Sequence, residues 1–78
     1  MKYLVVKRSV RFAGRNTSIS LEDAFWKGLG EIAKERGVSA SRLVETINAE
    51  QRSGSLSSAI RLFVLAAYRE RARRSATE

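Results

Sequence analysis

Asn16, Ser18 and Ser20 occupy every second position of a short segment, alternating with Thr17, Ile19 and Leu21. One amide and two hydroxyls in a row supply hydrogen-bond donors and acceptors; taken alone they are equally the solvent face of a small sheet. Around them lie Lys2, Lys7, Arg8, Arg11 and Arg15, with no acid among residues 1–18. This chemistry suits contact with a polyanion rather than the transfer of a group. The chain has no cysteine and no histidine, which removes disulfide staples, thiolate chemistry and the usual zinc sites. It has no glycine-rich phosphate loop. Glu22 and Asp23 are adjacent at what reads as a helix start, and neighbouring residues on a helix do not converge on one point. The expectation is a protein that is not an enzyme and uses no cofactor or metal.

The formal charge is +7 over 78 residues, and its distribution says more than its total. Residues 19–53 are nearly neutral, whereas residues 1–18 and 54–78 are both basic. A near-neutral core between cationic ends points to nucleic acid first and an anionic membrane second. The longest apolar run, Leu62 to Tyr68, is seven residues, against roughly 20 for a membrane span. Tyr3 to Val6 is too short for the apolar part of a signal peptide. A reducing, cytoplasmic setting is the expectation.

These side chains must be held by elements that the pattern also suggests. Residues 1–14 read as a basic arm, partly extended, broken at Gly14. Ile19 and Leu21 share one face of a half-buried strand over 15–21, which sends Asn16, Ser18 and Ser20 to the other. A helix opens at Ser20 or Leu21 with Glu22 and Asp23 in its first turn, where acids suit the dipole. Phe25, Leu29, Ile32 and Ala33 give it an apolar stripe, and Arg36-Gly37 closes it with a left-handed glycine. Ser39 caps a second helix that buries Leu43, Val44 and Ile47 and frays by Arg52-Ser53-Gly54. A third helix runs from after Ser55 to about Arg74, with Leu56, Ile60, Phe63, Val64 and Ala67 inward. Leu62, Leu65 and Tyr68 lie around its side, and Ser75 to Glu78 look frayed. The domains are therefore an arm (1–14), a core (15–53) and a C-terminal helix with tail (54–78).

A lone strand leaves backbone groups unpaired. Pairing with the same strand of a second copy satisfies them, antiparallel by two-fold symmetry. A chain this short buries only ~60% of its unfolded surface, so a dimer would also supply missing core. The alternative is that residues 3–12 fold back as a second strand and form a hairpin within the chain.

The strand, the acid-opened helix, the Arg36-Gly37-Val38-Ser39 turn and the capped second helix resemble the ribbon-helix-helix superfamily of Arc- and MetJ-type repressors. More narrowly, Lys7-Arg8-Ser9-Val10-Arg11, Thr17 to Trp26 and Leu56 to Leu65 are similar to a bacterial ribbon-helix-helix family with a longer C-terminal helix. The resemblance implies a mainly α fold, β-α-α with an additional C-terminal helix, as an intertwined homodimer with an intermolecular two-stranded antiparallel ribbon. It further implies that the ribbon enters the major groove of double-stranded DNA. Asn16, Ser18 and Ser20 would then face the bases. Val38, Ser39 and Ala40, at the start of the second helix, would hold a phosphate. Arg15 and the arm's Lys7, Arg8 and Arg11 would add phosphate contacts. Ile19, Leu21, Phe25, Leu29, Leu43 and Ile47 would form the dimer core.

The function implied is a sequence-specific transcriptional regulator, a repressor acting by occupancy. Two other readings stay open: an antitoxin whose C-terminal helix grips a toxin, and a protein-interaction or membrane-surface module that does not touch DNA. A higher oligomer through the third helix is also open.

Overall fold

A computed structural model describes residues 4–12, 14–51 and 54–77. Lys2 of the expected arm, Arg52 and Ser53 of the expected fray, and Glu78 lie outside the described residues. Two strands, β1 (Val5–Phe12) and β2 (Arg15–Glu22), precede three helices, α1 (Asp23–Arg36), α2 (Ala40–Glu50) and α3 (Leu56–Thr77). The order β-α-α with an additional C-terminal helix matches the sequence reading.

The origin of the ribbon differs. β1 pairs antiparallel with β2 of the same chain, from Val5 opposite Glu22 to Phe12 opposite Arg15. Residues 5–12 are therefore a strand rather than an arm, as in the alternative hairpin reading of residues 3–12, and one edge of β2 is paired without a second copy. Only Ala13 and Gly14 separate the strands, and Gly14 takes φ 75°, a left-handed value that glycine adopts at little cost. Side-chain parity completes the account. Val6 and Val10 lie opposite Leu21 and Thr17, so both strands present an apolar inward face.

That face closes on the helices. Val10, Ile19, Leu21, Leu29, Ile32, Ala33, Leu43, Val44, Ile47, Ile60 and Val64 form one buried cluster. Five of the six residues expected in a dimer core (Ile19, Leu21, Leu29, Leu43 and Ile47) are at most 4% exposed within the single chain; Phe25 packs against the cluster half-buried. Their burial needs no partner, because β1 supplies the inward face that a second strand was expected to bring.

The punctuation of the helices follows the sequence closely. Glu22, extended, precedes α1, with Asp23 in the first turn and Lys34 and Arg36 in the last, each at the end its charge favours. Gly37 at φ 72° ends the helix. Its N–H donates to Lys34 O at 3.1 Å and that of Val38 to Ala33 O at 3.0 Å, the paired bonds of a Schellman close. Ser39 Oγ accepts from Arg42 N at 3.0 Å and caps α2. Ser55 Oγ accepts from Ser58 N at 3.1 Å and starts α3, which stays helical through Thr77, beyond the expected end near Arg74. On α3, Ile60 and Val64 are buried while Leu62 and Leu65 are 67% and 48% exposed.

Two glycines give a test with opposite signs. Gly30 lies within α1 with nothing near the place its Cβ would take. Gly30→Ala should stabilise by roughly 0.5–1 kcal/mol, because glycine is the costlier residue inside a helix. Gly14→Ala should destabilise by about 1–2 kcal/mol, the cost of a Cβ in left-handed backbone. Urea melts of both variants measure the difference.

Candidate nucleic-acid interface

The register that buries one face of the ribbon frees the other. Lys7 lies opposite Ser20, Ser9 opposite Ser18 and Arg11 opposite Asn16, and all six are exposed. The three expected base-facing residues of β2 thus share a face with two cations and a serine from β1. From the Lys7–Ser20 pair to the Arg11–Asn16 pair this face extends about 14 Å, at ~3.4 Å per residue. Asn16, Ser18, Ser20, Lys7 and Arg11 are brought together; Ser9 joins them and was not anticipated. Arg15 is exposed at the turn end of β2, opposite Phe12.

Arg8 is not among them. It lies opposite Ile19 on the inward side, where Nη2 donates to Asp23 Oδ1 at 2.7 Å. Its guanidinium sits 5.0 Å from the Trp26 ring centre, a cation–π distance. The expected phosphate ligand is a staple between ribbon and α1 instead. The physical reason is parity: residue 8 cannot share a face with Lys7 and Arg11 while the strand stays regular.

The start of α2 offers backbone donors. Amides at the start of a helix have no acceptor within it, and the Ser39 side chain satisfies that of Arg42, leaving the Ser39, Ala40 and Ser41 amides. Val38 does not fit the expectation, because its N–H is already given to Ala33 O. Ser41, one residue beyond the anticipated set, takes its place.

The base of the ribbon is pinned to α3. Ser57 Oγ donates to the Ser20 carbonyl at 2.7 Å, leaving the Ser20 side chain exposed. Arg61 Nε meets Glu22 Oε1 at 2.6 Å. Glu22 has the outward parity of Lys7 and Arg11, and this pair holds its carboxylate against α3.

A family model described as the ribbon-helix-helix domain matches residues 5–68. The chain belongs to the ribbon-helix-helix family. The match takes in β1, set apart in the sequence reading as an arm, and α3 as far as Tyr68. No curated protein and no solved structure matched the chain. Ribbon-helix-helix domains are typically DNA-binding and regulatory rather than enzymatic. Among the described residues of this ribbon-helix-helix chain, no cluster of acids could hold a metal ion and no helix is long and apolar enough to cross a membrane.

Two carboxyls that fasten the ribbon titrate below their usual range. Glu22 is lowered chiefly by its hydrogen bond from Arg61, and Asp23 chiefly by its bond from Lys27, with Arg8 adding to it. A carboxyl whose folded pKa is depressed contributes stability above its unfolded value and loses it as pH falls through the folded one. The thermal midpoint should therefore hold above the usual values of 4.5 and 3.8 and decline below them. The double variant Glu22→Gln/Asp23→Asn should start lower at neutral pH and decline less. Melts followed by circular dichroism from neutral to acid pH check this.

Proposed function

We propose that this chain is a sequence-specific double-stranded DNA-binding transcriptional regulator, a repressor by occupancy, that lays the outward face of its ribbon in the major groove. The supporting observation is that face itself. From the Lys7–Ser20 pair to the Arg11–Asn16 pair it carries hydrogen-bonding and cationic side chains, all exposed; beyond Lys7 it continues to exposed Val5 and to Glu22, which Arg61 holds. A two-stranded ribbon fits a major groove about 12 Å wide. Asn16, Ser18 and Ser20 address base edges, Asn16 with the most to say because an amide can bond adenine N6 and N7 together. Lys7, Arg11 and Arg15 have no ion-pair partner among the described residues and bring the charge that a duplex draws in. The Ser39 and Ala40 amides, with that of Ser41, take a phosphate at the N-terminus of α2.

A homodimer belongs to the same proposal, in a bacterial cytoplasm. Because the ribbon is complete in one chain, the second copy would join through apolar side chains outside it. Leu62 and Leu65, exposed on α3, suit that contact. Sedimentation should show a dimer that Leu62→Glu/Leu65→Glu dissociates without unfolding; a monomeric wild type at all concentrations would remove the dimer and leave the DNA reading standing.

Salt dependence tests the DNA reading directly. Each phosphate neutralised contributes about −0.9 to the slope of log K against log salt, so three cations per chain give roughly −3. Lys7→Ala and Arg15→Ala should each flatten the slope by about 1 and weaken all duplexes alike. Fluorescence anisotropy with a labelled duplex over a salt series measures it, and a slope near zero would defeat the proposal.

A further inference from the structure

The family match ends at Tyr68, and α3 runs on past it to Thr77. Residues 69–77 carry Arg69, Arg71, Arg73 and Arg74 against a single acid, Glu70. Contacts along α1 fix where this stretch lies. Arg61 meets Glu22 just before α1 begins, Val64 and Tyr68 close over Gly28, and Arg71 meets Glu35. The two helices therefore run side by side in one direction, away from the base of the ribbon. α1 stops at Arg36. The residues of α3 after Arg71 extend past that point by about 9 Å, at ~1.5 Å per residue.

That end of the bundle is also where α2 begins. Only Gly37 and Val38 separate the end of α1 from the Ser39 cap, and Arg36 stacks on α3, 5.1 Å from the Phe63 ring centre. Charge is one-sided at this corner. Lys34 and Arg42 are exposed and form no ion pair among the described residues. On α3, Arg71 answers Glu35 and Arg73 answers Glu70, which uses two of the four arginines. Arg69 is exposed and makes no ion pair or side-chain hydrogen bond among the described residues. Arg69 and Arg73, four residues apart, share one face of the helix, whereas Arg71 is held on the side of α1. The Arg73–Glu70 pair is exposed and spaced i,i+3, a kind that contributes little and exchanges readily.

We propose that the end of α3 past Tyr68 is a second phosphate-contacting surface of this chain, laid along the backbone of the same duplex beside the ribbon's groove, with Arg69 and Arg73 as its contacting cations. This rests on the DNA reading above and extends it. A phosphate held by the amides at the start of α2 brings a DNA strand to this end of the bundle. An overhang of about 9 Å then follows that strand for two or three nucleotides, at ~3.4 Å of axis each. The contact carries no sequence information, because guanidinium groups on phosphates position a protein without reading bases. Its contribution is affinity and salt dependence. Arg73 exchanges Glu70 for a phosphate, and Glu70 therefore opposes binding.

Two measurements on the full chain test this. In a salt series the wild type should show a slope steeper than the roughly −3 of the ribbon cations, by about 2 at ~0.9 per phosphate. Arg69→Ala/Arg73→Ala should remove that excess, and Glu70→Gln should tighten binding at low salt. All three positions are exposed, and circular dichroism confirms that each variant is folded. The second measurement uses the absence of cysteine from the chain, so that one introduced thiol carries an iron chelate that cuts nearby DNA backbone. From Ala72→Cys it should cut the bound duplex a few base pairs outside the cuts made from Ser9→Cys, and should spare a second, differently labelled duplex. The inference is overturned, with DNA binding intact, if Lys7→Ala flattens the slope and Arg69→Ala/Arg73→Ala does not. It is overturned equally if the chelate at residue 72 cuts nothing, or only the second duplex. A wild type that binds no duplex would remove the DNA reading, and this inference with it.

Discussion

The ladder between β1 and β2, with Arg8 opposite Ile19 near its middle, is the constraint from which the other features follow. Side chains alternate along both strands, so the register decides at once which set is buried and which is exposed. In this register Val6, Val10, Ile19 and Leu21 turn toward the helices, and Lys7, Ser9, Arg11, Asn16, Ser18 and Ser20 turn away. A slip of one residue in either strand would bury cations and expose the core. The apolar cluster with α1, α2 and α3 therefore does more than stabilise the chain. By holding the inward set it fixes the composition of the outward one.

One residue breaks the pattern, and it explains why the first strand of the ribbon was legible in the sequence only as the alternative to a basic arm. β2 reads plainly because Ile19 and Leu21 alternate with Ser18 and Ser20. β1 carries the same alternation of valines with Lys7, Ser9 and Arg11, but Arg8 sits where an apolar residue belongs. A charge at an inward position erases the binary signal, and a stretch with three cations then looks like an arm. The structure shows how the charge is accommodated. Asp23 at 2.7 Å supplies the countercharge, Trp26 covers the guanidinium plane, and the side chain stays 30% exposed. A partly buried cation is tolerable when paired and stacked. None of those partners can be matched to Arg8 from spacing along the chain, because Asp23 is 15 residues away.

The helices were legible for the complementary reason. Gly37, Ser39 and Ser55 act over three to five residues, through bonds between near neighbours in sequence. The same local logic placed Ser39 and Ala40 at the open start of α2. It failed at Val38, whose amide is consumed by the close of the preceding helix. What joins the elements is long-range and was invisible: Ser57 to the Ser20 carbonyl, Arg61 to Glu22, Tyr68 to Glu31 and Arg71 to Glu35. These bonds run along α3 from the ribbon to the far end of α1. The Tyr68–Glu31 contact raises the tyrosine pKa, since its hydrogen bond to a carboxylate favours the protonated phenol.

Placing both strands in one chain also separates two duties that a shared ribbon would combine. In a ribbon made from two copies, every change at a base-facing position appears twice and acts on the joint between the chains. Here the joint is internal and rests on inward residues, so Arg11 and Asn16 have no part in holding the core together. On the outward face they lie beside each other and next to the Ser9–Ser18 pair. A position that is exposed, unpaired and not needed for folding can change its side chain at little structural cost. The side chains at the turn end of this ribbon are thus free to vary while Arg8, Asp23 and the buried face keep the register. The ribbon holds its shape through one face and leaves the other exposed.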